Sequence, residues 1–112
     1  MVTVELIMDE DELIELMMKE FTKRYSFDDI TAELMRQYFT LIVNNGSCSL
    51  LYGPSRIEDY VMETWDACSV IDQRDPEYDE VVSAWDSGEN MLQNGNGEVV
   101  AKYKDTYLVQ WY

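Results

Sequence analysis

Carboxylates are the residues that could do chemistry in this chain, and they crowd one stretch of it. Between positions 58 and 89 stand Glu58, Asp59, Glu63, Asp66, Asp72, Asp75, Glu77, Asp79, Glu80, Asp86 and Glu89, with Arg74 the only basic residue among them. Carboxylates at this density can ligate a hard cation, act in pairs as general acid and base, or present an anionic surface to a cationic partner. Each use makes its own demand on spacing and surroundings.

The cation demand is not met. Counting from Asp72, the third and fifth positions of a calcium-binding EF-hand loop fall on Arg74 and Pro76. Counting from Asp86 they fall on Gly88 and Asn90, with Met91 where the turn glycine belongs. A zinc site needs about four ligands, usually nitrogen or sulfur, and the chain has two cysteines, Cys48 and Cys68, and no histidine. The missing histidine also removes Ser-His and Cys-His nucleophile systems and a histidine general base. A carboxylate acid/base pair needs a partly buried pocket, which a 112-residue chain with this much surface charge hardly forms. Gly46, Gly53, Gly88, Gly95 and Gly97 match neither GxGxxG nor a Walker loop. The expectation is a non-enzymatic protein with no catalytic residues, no metal and no cofactor, in which the acids act through their field.

Helices and a small sheet must position those acids. Asp9 with Glu12 three residues on has the shape of a capped helix start, and Leu13, Ile14, Met17, Met18 and Phe21 then share one face, giving a first helix over 10–24. On its back, Glu15 with Lys19 and Glu20 with Arg24 stand in the favourable i,i+4 order. Ser26-Phe27-Asp28-Asp29 repeats the start signal. Ile30, Leu34, Tyr38, Leu41 and Ile42 form the next stripe, with Met35 at its edge, and Asn44-Asn45-Gly46 stops that helix. After a short strand over 48–52, the Gly53-Pro54 turn leads into Ser55-Arg56-Ile57-Glu58, a capping box for a third helix that turns Ile57, Val61, Trp65 and Cys68 inward. Asp75 before Pro76 opens a short fourth helix carrying Tyr78, Val81, Val82 and Trp85 and stopping near Gly88.

The pattern then changes period. Asn94-Gly95-Asn96-Gly97 is a hairpin-type turn, and 98–103 with 106–112 flank a tight Lys104-Asp105 as an antiparallel hairpin. Met91-Leu92-Gln93 supplies a third strand, and Val2 to Ile7 reads as a short N-terminal strand. The fold class is α+β: about four amphipathic helices, followed by a small antiparallel hairpin or three-stranded sheet at the C-terminus that they cover on one side. Residues 1–112 make a single domain.

Charge is unevenly shared along this fold. The chain carries 23 acids against 8 bases, a formal charge of −15. Residues 1–50 hold 10 acids and 4 bases, residues 51–90 hold 11 and 2, and residues 91–112 hold 2 and 2. With Ile57, Val61 and Trp65 turned inward, Asp59, Glu63 and Asp66 share the solvent face of the third helix as a ridge. Carboxylates four residues apart are about 6 Å apart along a helix axis, close to the through-space spacing of successive phosphates on one nucleic-acid strand, whose rise is about 3.4 Å. Like charges at this spacing weaken a helix, a folding cost that partner binding would explain; the plainer use of the same face is solubility. The candidate partner-binding surface is Asp59, Glu63, Asp66, Asp72, Asp75, Glu77, Asp79 and Glu80.

A second candidate surface is the hairpin. Tyr103, Tyr107, Trp111 and Tyr112 crowd two strands whose faces the helices cannot all cover, and Tyr and Trp are frequent interface anchors. They would serve an adaptor module or a homodimer seam, or complete a small core. Two cysteines outside a CxxC pair suit a reducing cytoplasm, and the first residues lack the basic flank of a signal peptide. No apolar run approaches the ~20 residues that cross a bilayer. The charge disfavours direct contact with nucleic acid or an anionic membrane. The partner it favours is a basic protein: a nuclease or other nucleic-acid-binding enzyme whose groove the acids would fill. In size, charge and lack of a catalytic constellation the chain is similar to small acidic inhibitors carried by phages and mobile elements, including anti-CRISPR and anti-restriction DNA mimics, and to immunity proteins for toxic nucleases. That likeness is of class and implies an inhibitory decoy; no family motif narrows it.

Overall fold

The computed structural model describes residues 10–44, 54–93 and 95–112. Among these residues the chain forms helices α1 (Glu10–Arg24), α2 (Asp29–Asn44) and α3 (Pro54–Asp66), strand β1 (Cys68–Ile71), helix α4 (Tyr78–Asp86), and strands β2 (Gly97–Tyr103) and β3 (Thr106–Trp111). This is the expected α+β fold of four helices and a three-stranded antiparallel sheet, in the order β1-β3-β2. The short strands expected over 2–7 and 48–52, like the cap at Asp9, lie outside the described residues.

Helix α1 starts with Glu10, Asp11 and Glu12 and ends with Lys23 and Arg24, so both ends complement the helix dipole. Its buried residues are Leu13, Ile14, Met17, Met18 and Phe21, the face the sequence predicts. Helix α2 is capped by Asp28, whose Oδ1 accepts the Thr31 amide at 2.8 Å. Phe21 is the centre of the helical core: its ring stacks on Phe27 at 4.5 Å and meets Trp65 edge-on at 5.1 Å and Phe39 at 6.3 Å. Arg24 joins α1 to α3, pairing with Glu58 and lying 3.8 Å from Glu20, while Glu15 pairs with Arg36 of α2 instead of with Lys19. The expected Glu20–Arg24 pair therefore forms, and the other glutamate is used between helices.

Strand β3 is central. It pairs with β1 through Cys68↔Gln110 to Ile71↔Tyr107, and with β2 through Gly97↔Trp111 to Tyr103↔Thr106. A bulge between Val99 and Ala101 puts the extra residue Val100 on the same side as Ala101. Val100, Ala101 and Leu108 thus join the core under α1, α2 and α3, while Val99, Tyr107 and Val109 face the other way and pack with Ile71, Leu92, Val81 and Ala84.

The structure departs from five expectations. The helices do not lie on one side of the sheet, because α4 covers the second face through Val81 and Ala84. The stripe of α2 is broader than its spacing suggests: Met35 and Phe39 are fully buried and Leu41 is 41% exposed, since α2 packs between α1 and β2 and so buries two faces. Helix α3 stops at Asp66, and Cys68 begins β1 where the sequence suggests a last inward helical residue; the Ser69-Val70-Ile71 run is better placed beside β3 than on a helix. The third strand is accordingly β1, and Met91 makes only an isolated bridge to Glu98. Finally, α4 begins at Tyr78, past Pro76, so the Asp75 side chain does not cap it.

Candidate functional site

Helix α3 carries the ridge. Ile57 and Val61 are buried, Tyr60 and Trp65 are half-buried, and Asp59, Glu63 and Asp66 are all exposed. The inward residues sit at i, i+4 and i+8, which rotates the three carboxylates together onto the opposite side. Trp65, wedged against Phe21 and Tyr25 at 5.1 and 5.9 Å, holds the ridge helix on α1, and the Arg24–Glu58 pair fixes its first turns. Among the described side chains, none of the three ridge carboxylates is in an ion pair.

The remaining five candidates divide between structure and surface. Asp72 is held by Arg74, whose terminal nitrogen is 2.7 Å from Oδ2, and this guanidinium keeps the Asp72 carboxyl down at about 2. Asp75 accepts the Asp72 amide at 2.8 Å, and Glu80 accepts the Gln93 amide at 2.9 Å. Glu77 and Asp79 are exposed, as are Asp86 and Glu89 further along. Because α3 and α4 lie on opposite faces of the sheet, the eight acids do not form one ridge. The structure brings together Asp59, Glu63 and Asp66, sets Asp72 and Asp75 in the β1–α4 turn, and gives Glu77, Asp79 and Glu80 to the start of α4.

The hairpin aromatics are also dispersed. Tyr107 is 3% exposed, buried between Tyr78 and Trp85 at 6.1 and 6.2 Å. Trp111 is half-buried on the same face and donates its indole N–H to Ser69 Oγ at 2.9 Å. Tyr103 lies on the helical side with Lys104 Nζ 5.4 Å from its ring centre. Tyr112 alone of the four is largely exposed, and its hydroxyl donates to Glu98 at 2.6 Å.

Burial pushes the free Cys68 thiol up to about 12 and likewise raises the Tyr38 hydroxyl well above its ordinary value, so both stay protonated at neutral pH. No three Asp, Glu or Cys side chains among the described residues converge to hold a metal ion. None of the described helices is long and apolar enough to cross a membrane. Comparison of the chain with protein-family models, with curated proteins and with solved structures gave no match.

Sequence reasoning missed β1 and with it the edge of the sheet that lies next to the ridge helix. The signal for it is short: two β-branched residues, Val70 and Ile71, after Cys68 and Ser69 and before the turn at Asp72 to Pro76.

Proposed function

We propose that this chain is a non-enzymatic, cytoplasmic acidic binding protein that occupies the basic groove of a nucleic-acid-processing protein and excludes its nucleic acid. The observation that carries the reading is the exposed row Asp59, Glu63 and Asp66, three carboxylates on one helix face with no counter-charge among the described side chains. A free acidic row on a chain of formal charge −15 steers encounter with a Lys/Arg-rich surface and displaces the anions that surface normally holds. Asp79, Asp86 and Glu89 extend the same field around the far side of the sheet, which favours a partner that wraps the molecule over one that touches it at a point.

The alternative, an adaptor that binds through the hairpin, has less surface to use, since Tyr107 is buried and Trp111 is tied to Ser69. The two readings separate by mutation and salt. Tagged protein is used to capture partners from nuclease-treated lysate of the host, with washes at rising salt and identification by mass spectrometry. Capture of a basic nucleic-acid enzyme, released as salt screens the pairing and absent with the Asp59→Lys/Glu63→Lys/Asp66→Lys variant, supports the decoy. A partner retained by that variant, or held in high salt, overturns it.

A further inference from the structure

The two outer edges of the sheet are treated differently. In the β1/β3 ladder the Trp111 amide donates to the Ala67 carbonyl at 2.7 Å, so residues 67, 69 and 71 direct their backbone groups at β3. The same alternation directs the N–H and C=O of Cys68 and Val70 away from the sheet. On the opposite edge the outward groups of β2 are covered: Val99 donates to the Asn90 carbonyl at 2.7 Å, Leu92 donates to Gly97 at 3.0 Å, and Lys102 donates to Gln37 Oε1 at 3.3 Å. On β1 the outward amide of Asp72, at the strand's end, is taken by Asp75, and among the described residues nothing takes those of Cys68 and Val70. Both residues are only half-buried.

We propose that this outer edge of β1 receives an extended, Lys/Arg-rich segment of the basic partner as a fourth strand, a reading that rests on the decoy function above and names the element recognised. Main-chain hydrogen bonds from Cys68 and Val70 give such a segment its register without regard to sequence, and the charge on either side selects its composition. Asp66 is exposed at the last residue of α3, just ahead of the strand, and Asp72 follows its last residue. Helix α3, which leads into β1 and touches it, carries Glu63 and Asp59 on its exposed side. Side chains of an added strand alternate between the two faces, so every second residue is turned toward the ridge side, and a Lys or Arg there meets a carboxylate. A second copy of this chain is disfavoured as the occupant. Antiparallel pairing of two β1 edges about Ser69 would set Cys68 of each copy opposite Val70 of the other and bring the Asp66 and Asp72 carboxylates of both copies together.

The test uses an eight-residue peptide alternating Lys and Val, the same peptide with every backbone nitrogen methylated, and the whole protein with its Val70→Pro and ridge-reversal variants. The methylated peptide keeps its charge and loses its donors. Proline at position 70 removes one outward donor and no bond to β3, as an edge position tolerates. The expected result is slowed amide exchange at Cys68 and Val70 when the first peptide is added, and binding about tenfold weaker for the methylated peptide or the proline variant, the scale of one or two lost hydrogen bonds. Equal binding of both peptides without exchange protection, but lost on ridge reversal, overturns the edge proposal and leaves the decoy reading in place. Binding that survives ridge reversal overturns the decoy reading itself. Exchange protection already present without peptide, together with a doubled mass in solution, identifies a second copy as the occupant and overturns the proposal of a basic segment.

Discussion

The Asp75 carboxylate accepts the backbone amide of Asp72 at 2.8 Å, while the Asp72 carboxylate is held by Arg74. Two neighbouring acids of the most acidic stretch thus serve the fold: Asp75 ends a strand and Asp72 closes a turn. The consequence for function is that charge density alone does not define the partner surface. Carboxylates already engaged with amides and guanidinium groups have less to offer a ligand than the three on α3, which pair with none of the described side chains.

This arrangement sets an acid limit to stability. Three carboxyls are held below their ordinary values by partners made only in the folded chain: Asp72 to about 2, mainly by hydrogen bonding to Arg74; Asp28, by the Thr31 amide; and Glu15, by Arg36. A lowered folded value means a contribution fully present above the unfolded value and lost as pH falls toward the folded one. Stability should therefore decline as pH is taken from about 4 toward about 2. The Asp72→Asn variant should show a shallower decline than the parent when thermal unfolding is followed by circular dichroism; an identical slope would show that the Asp72–Arg74 pair plays no part.

The hairpin's open end offers a packing test. Gly97 faces Trp111 across the β2/β3 ladder, and a Cβ added at residue 97 would stand 2.9 and 3.0 Å from carbons of the indole ring. Real Cβ atoms do not approach so closely, and the indole is anchored by its bond to Ser69. Gly97→Ala should cost about 1–3 kcal/mol, as overpacked positions do. Combining it with Trp111→Phe, which removes part of the obstructing ring, should recover a share of that loss in chemical denaturation.

How far the fold could be read from the sequence follows from where each signal resides. The inward face of α1 is a five-residue pattern with charges on its back, and it reads correctly because one side of that helix is buried. On α2 the same reading fails for Met35 and Phe39, because a helix lying between another helix and a sheet buries two sides and no single stripe describes it. Strand β1 is four residues long and follows a helix with a single intervening residue, Ala67, so periodicity has no window in which to change. The exposed ridge was legible because it depends on local helical spacing alone. The use of Asp75, Glu80 and Asp72 as backbone and guanidinium partners was not, since Gln93 reaches Glu80 from beyond α4 and the Asp72–Arg74 and Asp75–Asp72 contacts depend on turn geometry.

The aromatic residues discriminate the two functional readings by stability. Tyr107 is buried between Tyr78 and Trp85 and Tyr112 is 70% exposed. Tyr107→Ala should cost about 3–5 kcal/mol through the cavity it leaves. Tyr112→Ala should change stability by about 0.5 kcal/mol or less. If Tyr112→Ala also leaves partner capture intact, the hairpin is scaffold; a loss of capture with stability unchanged would move the binding surface there.

Salt should act on this protein with two signs. In the isolated chain 23 acids face 8 bases, and the exposed acids of α3 and α4 repel each other at neutral pH. Screening shortens the reach of that repulsion to about 8 Å at physiological ionic strength and about 3 Å at 1 M, so added sodium chloride should raise the melting temperature of the free protein. The same screening weakens attraction to a basic partner, so the complex should dissociate over the range in which the free protein gains stability. A protein whose acids serve only solubility shows the first effect without the second. Paired measurements, thermal unfolding of the free chain and retention of the captured partner across one salt series, separate the cases. Opposite slopes are expected, and the Asp59→Lys/Glu63→Lys/Asp66→Lys variant should flatten both, because each reversed residue removes a source of repulsion and a point of attachment together.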